Sequence, residues 1–139
     1  MLPPQQPHIP AWPGPPRNVA INTKIDEVMA ATALAVLDLN QQQIGVAGVT
    51  RVANFLRGNT TVSKLRLNGN SIGNDGASAL GLMLRFNKKL QSVYLTDNKI
   101  GDDGAIPLFE ALGGNNTLRG LVLDNNRIGD EGANQLSVP

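Results

Sequence analysis

"LRLNGNSIGNDGASAL" (residues 65–80) and "VYLTDNKIGDDGAIPL" (residues 93–108) carry one pattern twice, 28 residues apart. A catalytic motif need occur only once, whereas recurrence at a fixed offset marks stacked structural units. Carried outward, the register begins at Leu37, Leu65, Val93 and Leu121, and two residues later each copy has leucine: Leu39, Leu67, Leu95 and Leu123. The sixth position reads Gln42, Asn70, Asn98 and Asn126, and the eighth is isoleucine in every copy, from Ile44 to Ile128. Glycine fills the ninth and twelfth positions throughout.

Two periodicities share each unit. The opening leucines alternate, as in a short strand with one buried face. Further on, Gly76, Leu80 and Leu84 are spaced by four, which predicts a helix with one inward stripe. Asn74, Asp102 and Asp130 stand where the N-cap of that helix is expected, with Asp75, Asp103 and Glu131 in its first turn. Short polar side chains there accept from free N–H groups, and carboxylates favour the positive end of the helix dipole. One such unit cannot bury its own apolar face, but stacked copies can.

The pattern Leu90-x-x-Val93-x-Leu95-x-x-Asn98-x-Ile100-x-x-x-Gly104-x-x-x-Leu108-x-x-x-Leu112 resembles the leucine-rich repeat of the ribonuclease-inhibitor-like class, and the likeness runs from Leu37 to Leu136. It implies an α/β solenoid, curved, with parallel strands on the concave face and helices on the convex face. It also implies a structural ladder of Asn70, Asn98 and Asn126, because an amide offers both a donor and an acceptor to a buried turn. Gln42 is one methylene longer, so a looser ladder is expected in the first copy.

The ends depart from the repeat. Residues 1–21 form a proline-rich tail, in which Pro4, Pro7, Pro10, Pro13 and Pro16 fall at the three-residue period of polyproline II. Three readings of it stay open: a plain tail, a ligand for an aromatic-lined groove, or a strap with Trp12 folded back over the first repeat. Residues 22–36 read as a degenerate helical half-repeat that caps the stack, since Leu34 takes the slot of Val62, Leu90 and Leu118. Residues 37–139 read as three full repeats and a truncated fourth that stops in mid-helix. Self-association, or continuation through that uncapped end, is therefore expected of a fragment or half-assembly.

The chemistry is sparse. The chain has no cysteine, and its single histidine, His8, lies in the tail, so a catalytic triad or a histidine or thiolate zinc site is excluded. There is no GxxxxGK[ST] phosphate loop and no run of about 18 apolar residues that would span a membrane. Net charge is +1, but bases outnumber acids before Val93 and acids outnumber bases after it, a two-signed surface suited to a polar protein partner more than to nucleic acid. Arg85, Lys88 and Lys89 are assigned to a helix C-terminus matched to its dipole. Asp97, Asp102, Asp103, Asp124, Asp130 and Glu131 are assigned to turns and caps in preference to a cation site. No enzyme, cofactor or metal is expected.

What changes from copy to copy is the outward strand positions: Asp38, Asn40, Arg66, Asn68, Tyr94, Thr96, Val122 and Asp124. A fixed frame with variable display positions is how a solenoid builds a binding surface, and Arg66 and Tyr94 are residue types favoured at interface hot spots. The expected function is a protein–protein interaction module that binds its partner on the concave face. The resemblance implies a cytoplasmic setting and leaves two alternatives, a regulator of a small GTPase similar to the Ran GTPase-activating proteins and a structural scaffold piece of a larger repeat protein.

Overall fold

Alternation of buried leucines with polar residues makes each copy open on a strand of three residues. The computed structural model describes residues 35–129. In them β1 (Val36–Asp38), β2 (Lys64–Arg66), β3 (Ser92–Tyr94) and β4 (Gly120–Val122) alternate with helices α1 (Gly45–Arg57), α2 (Gly73–Phe86) and α3 (Asp102–Gly114). The strands form one parallel sheet in sequence order. Leu37 pairs with Leu65, Leu65 with Val93 and Val93 with Leu121, so the strand register equals the sequence period. The result is an α/β solenoid, strands along one side and helices along the other.

Val36, at the end of the expected capping half-repeat, opens β1; the Ala35 carbonyl beside it accepts from Ser63 N–H (2.8 Å) and Lys64 N–H (3.2 Å). The expected tail with His8 and Trp12, the rest of the expected half-repeat, and the helix expected in the fourth copy, with Asp130 and Glu131, lie outside the described residues.

The core runs between sheet and helices. Leu37, Leu65 and Val93 from the strands, Ile44, Ile72 and Ile100 from the turns, and Val52, Leu80 and Leu108 from the helices are all fully buried. In the fourth copy Leu121, Leu123 and Ile128 are partly buried against this core. The glycine at the twelfth position sets how closely the helices stack. A Cβ on Gly76 would lie 2.9 Å from Val49 Cγ1 in the preceding helix, and one on Gly104 would lie 2.8 Å from Asn74 Cα. No heavier residue fits there without moving a helix.

Buried turns need their backbone groups paired, and asparagines supply the pairing. Asn98 Nδ2 donates to the Leu67 carbonyl of the preceding copy (2.8 Å), and its Oδ1 accepts from Asn70 N–H (2.8 Å). Asn70 Nδ2 likewise donates to Leu39 O (2.8 Å) while Oδ1 accepts from Gln42 N–H (2.9 Å). Asn126 repeats the arrangement on Leu95 O and Asn98 N–H. Each amide thus clamps the copy before it. Gln42 bonds through its side chain only to Asn40 O, inside its own turn (3.1 Å).

A second asparagine series stands at the other end of the helices. Asn87 is buried; its Nδ2 donates to Leu56 O at the end of α1 (2.6 Å), and its Oδ1 accepts from Lys89 and Leu90 N–H (both 2.8 Å). Asn115 does the same to Leu84 O and to Thr117 and Leu118 N–H. Helix end and next strand are tied by one residue at Asn87 and again at Asn115.

The cap assignment of Asn74 and Asp102 is corrected. Helices α2 and α3 have no side-chain hydrogen bond at their own N-caps, Ile72 and Gly101. Asn74 Oδ1 instead reaches forward one copy, accepting from Gly101 N–H (2.6 Å) and Gly104 N–H (3.2 Å) at the start of α3. Asp102 Oδ1 accepts from Gly129 N–H (2.6 Å) in the same way. Repeats stack so closely here that the next turn is nearer than the residue's own. The equivalent position before α2 is Val46, which offers no acceptor; there Gly73 keeps φ +62 and donates to Asn98 O (2.9 Å), whereas Gly101 turns to φ −98.

Two stability measurements follow from this packing. Asn98→Ala strands the Asn70 N–H in a buried site and leaves the Leu67 carbonyl with Asn70 Nδ2 as its remaining donor; it is expected to cost about 2 kcal/mol in urea unfolding, against less than about 1 for Gln42→Ala. Gly76→Ala is expected to cost about 1–3 kcal/mol through overpacking, whereas Gly58→Ala, with open space around its Cβ, is expected to be neutral or slightly stabilising in the same measurement.

Candidate functional site

The alternation that buries the leucines leaves the intervening side chains on the opposite, concave face. Three rows cross it. Val36, Lys64, Ser92 and Gly120 pair strand to strand in the first; Asp38, Arg66, Tyr94 and Val122 pair in the second. Asn40, Asn68, Thr96 and Asp124 make the third, just past the strand ends. All eight residues expected on this surface are in the second and third rows.

Their roles differ. Asp38 and Asp124 are exposed, while Arg66, Tyr94, Thr96 and Val122 are half-buried against the sheet. Asp38 Oδ1 accepts from Asn40 N–H (3.0 Å), which closes its own turn. Asn40 Oδ1 accepts from Asn68 N–H (2.9 Å) and Asn68 Oδ1 from Thr96 N–H (2.8 Å), so these two side chains are committed to the frame as well as displayed.

The centre of the face is cationic and aromatic. The Arg66 guanidinium lies 5.6 Å from the Tyr94 ring centroid and the Lys64 ammonium 5.9 Å from it. Both distances suit a cation–π attraction that holds the three side chains together. Arg66 Nε is buried and has no hydrogen-bond partner among the described residues. Acidic side chains flank this centre, Asp38 on the β1 side and Asp124 beyond β4. The face can therefore receive acceptors at its middle and donors at its edges.

Lys64 was missed by reading only the positions between and after the leucines. The same two-residue alternation, taken one step upstream, marks Val36, Lys64, Ser92 and Gly120. The helix-end asparagines were also legible, as Asn59, Asn87 and Asn115 recur at the repeat period.

Among the described residues no group of three histidine, cysteine or acidic side chains is placed to hold a metal ion. Among the same residues no helix is long and apolar enough to cross a membrane.

No curated protein sequence matches the chain. Among solved structures it is similar to a leiomodin-1 segment described as actin-binding site 2, with a TM-score of 0.77 and 25% identity over 84% of this chain and 70% of that one. It is also similar in fold to a tropomodulin C-terminal domain from Caenorhabditis elegans, with a TM-score of 0.50 and 13% identity over 84% of this chain and 89% of that one. Stacked repeats of this kind present an extended face of the sort that interaction modules use. The sequence profile of the leucine-rich repeat matches residues 58–81, 86–109 and 114–137. Those three matches cover half of the sequence, each starts one structural period after the last, and the chain belongs to the leucine-rich repeat family.

Proposed function

We propose that this chain binds a protein partner on its concave strand face, centred on Arg66 and Tyr94, and that it acts by binding without catalysis. The observation that carries the reading is the buried Arg66 Nε–H with no partner among the described residues. A buried donor left unmade costs about 1–3 kcal/mol, so Arg66 gains if its guanidinium turns toward a carbonyl or carboxylate brought by a docked protein. Tyr94 beside it offers a flat contact area that loses little conformational freedom on binding, and the rows on either side vary in charge. Likeness to the leiomodin-1 segment makes actin the first partner to test, and a cytoplasmic setting is consistent with that partner. A period of 28 residues with a full helix in each of the first three copies supports membership of the ribonuclease-inhibitor-like class.

Co-sedimentation with filamentous actin tests both parts of the reading. The wild-type chain is expected in the pellet, and the Arg66→Ala/Tyr94→Ala variant is expected to bind at least about tenfold more weakly with an unchanged circular dichroism spectrum, as for loss of two central anchors. Equal pelleting of the two proteins would remove the concave face from the account. A wild-type chain that stays in the supernatant would remove actin.

A further inference from the structure

The convex side carries a feature that neither the stacking nor the concave face explains. Leu82 and Phe86 lie one turn apart on α2, and both are about half exposed, at 50% and 49%. Beside them a trough runs between α1 and α2. Its upper part, a hollow of about 110 Å³, is lined by Thr50, Ala53 and Arg57 of α1 and by Ala79, Leu82 and Met83 of α2. Its lower part, about 260 Å³, opens where the two helices end and is lined by Arg57, Phe86, Lys88 and Lys89. Arg57 belongs to both parts, with its guanidinium stacked 4.1 Å from the Phe86 ring centroid.

Charge distinguishes this trough from an ordinary helix seam. Arg57, Lys88 and Lys89 are all exposed, and no acidic side chain lines either hollow. Glu110, on α3, is taken up by Arg85 at 3.6 Å. The negative end of α1 accounts for a cation at Arg57, but it does not account for two large apolar side chains left in water along the trough. Exposed apolar surface rimmed by charge of one sign is the mark of an interaction site.

We infer that this trough is a second docking site, on the face opposite the strands, for an acidic amphipathic segment of a partner protein. Apolar side chains of the segment, spaced one helical turn apart, cover Leu82 and Phe86, and its carboxylates pair with Arg57, Lys88 and Lys89. The Arg57–Phe86 stack stays in place, because the guanidinium can pair with a carboxylate at its edge while its plane remains on the ring. Complementary charge selects an acidic segment over a neutral one, and the apolar pair selects an amphipathic one over a plain polyanion.

The test is fluorescence anisotropy of the full chain with a labelled glutamate-rich peptide carrying leucines at helical spacing. Saturable binding that weakens with added salt is expected. Lys88→Glu/Lys89→Glu and Leu82→Ser/Phe86→Ser are each expected to reduce affinity at least about tenfold, while Arg66→Ala/Tyr94→Ala leaves it unchanged. The substituted side chains are exposed, and an unchanged circular dichroism spectrum checks that each variant is folded. A lysine-for-glutamate version of the peptide is expected not to bind. The inference is overturned if the acidic peptide fails to bind, if the convex variants bind it as the wild type does, or if a leucine-free polyglutamate, a short DNA duplex or phosphatidylserine vesicles compete as well as the peptide.

Discussion

A chain that turns back on itself every 28 residues leaves backbone N–H and C=O groups where water cannot reach, and one asparagine amide in each copy after the first pairs them. The amide is suited to this because it donates and accepts from one short, stiff side chain. In Asn70 and Asn98 both functions are directed at the preceding copy, so each repeat is fixed to its neighbour before any leucine contact is counted. The strand register, the glycine contacts and the helix spacing are all consequences of holding two turns one repeat apart. Asn87 and Asn115 apply the same solution at the far ends of the helices.

With the frame held this way, most change from copy to copy falls at positions that face outward. On the concave side these are the row through Arg66 and Tyr94, the row through Lys64, and the ends at Asp38 and Asp124. On the convex side they are the outward residues of α1 and α2. The two candidate surfaces lie on opposite faces of the solenoid and share no residue, so occupation of one leaves the other open. That geometry suits a bridging role between two partners.

Sequence reading recovered the fold because burial repeats with the strand and helix periods, and those periods are visible in Leu65, Leu67, Gly76, Leu80 and Leu84. The ladder asparagines and the outward strand positions are read from the same two periods. It placed Asn74 and Asp102 on their own helices because N-cap rules are local, whereas the acceptor was needed by the next turn in space, one period later in sequence. It did not find the left-handed turn residues Gln41, Gln43, Ser71, Asp97, Lys99 and Asn125, which have positive φ without being glycine; in Gln41, Gln43, Ser71 and Lys99 no local propensity records that. Exposure of Leu82 and Phe86 was equally hidden, since a helix pattern gives the inward stripe but not what is left unpaired outside it.

Native-state hydrogen exchange on an Asn126→Ala variant is the most direct measurement of whether the asparagine clamps hold the stack. Asn126 Oδ1 accepts from both Asn98 N–H and Ile100 N–H (each 3.0 Å), whereas Gln42 N–H is held by Asn70. Loss of the Asn126 amide should speed exchange at Asn98 and Ile100 first and leave Gln42 protected as in the wild type. A uniform change at all three amides, or none at Asn98 and Ile100, would contradict a backward clamp acting from each copy on the one before it.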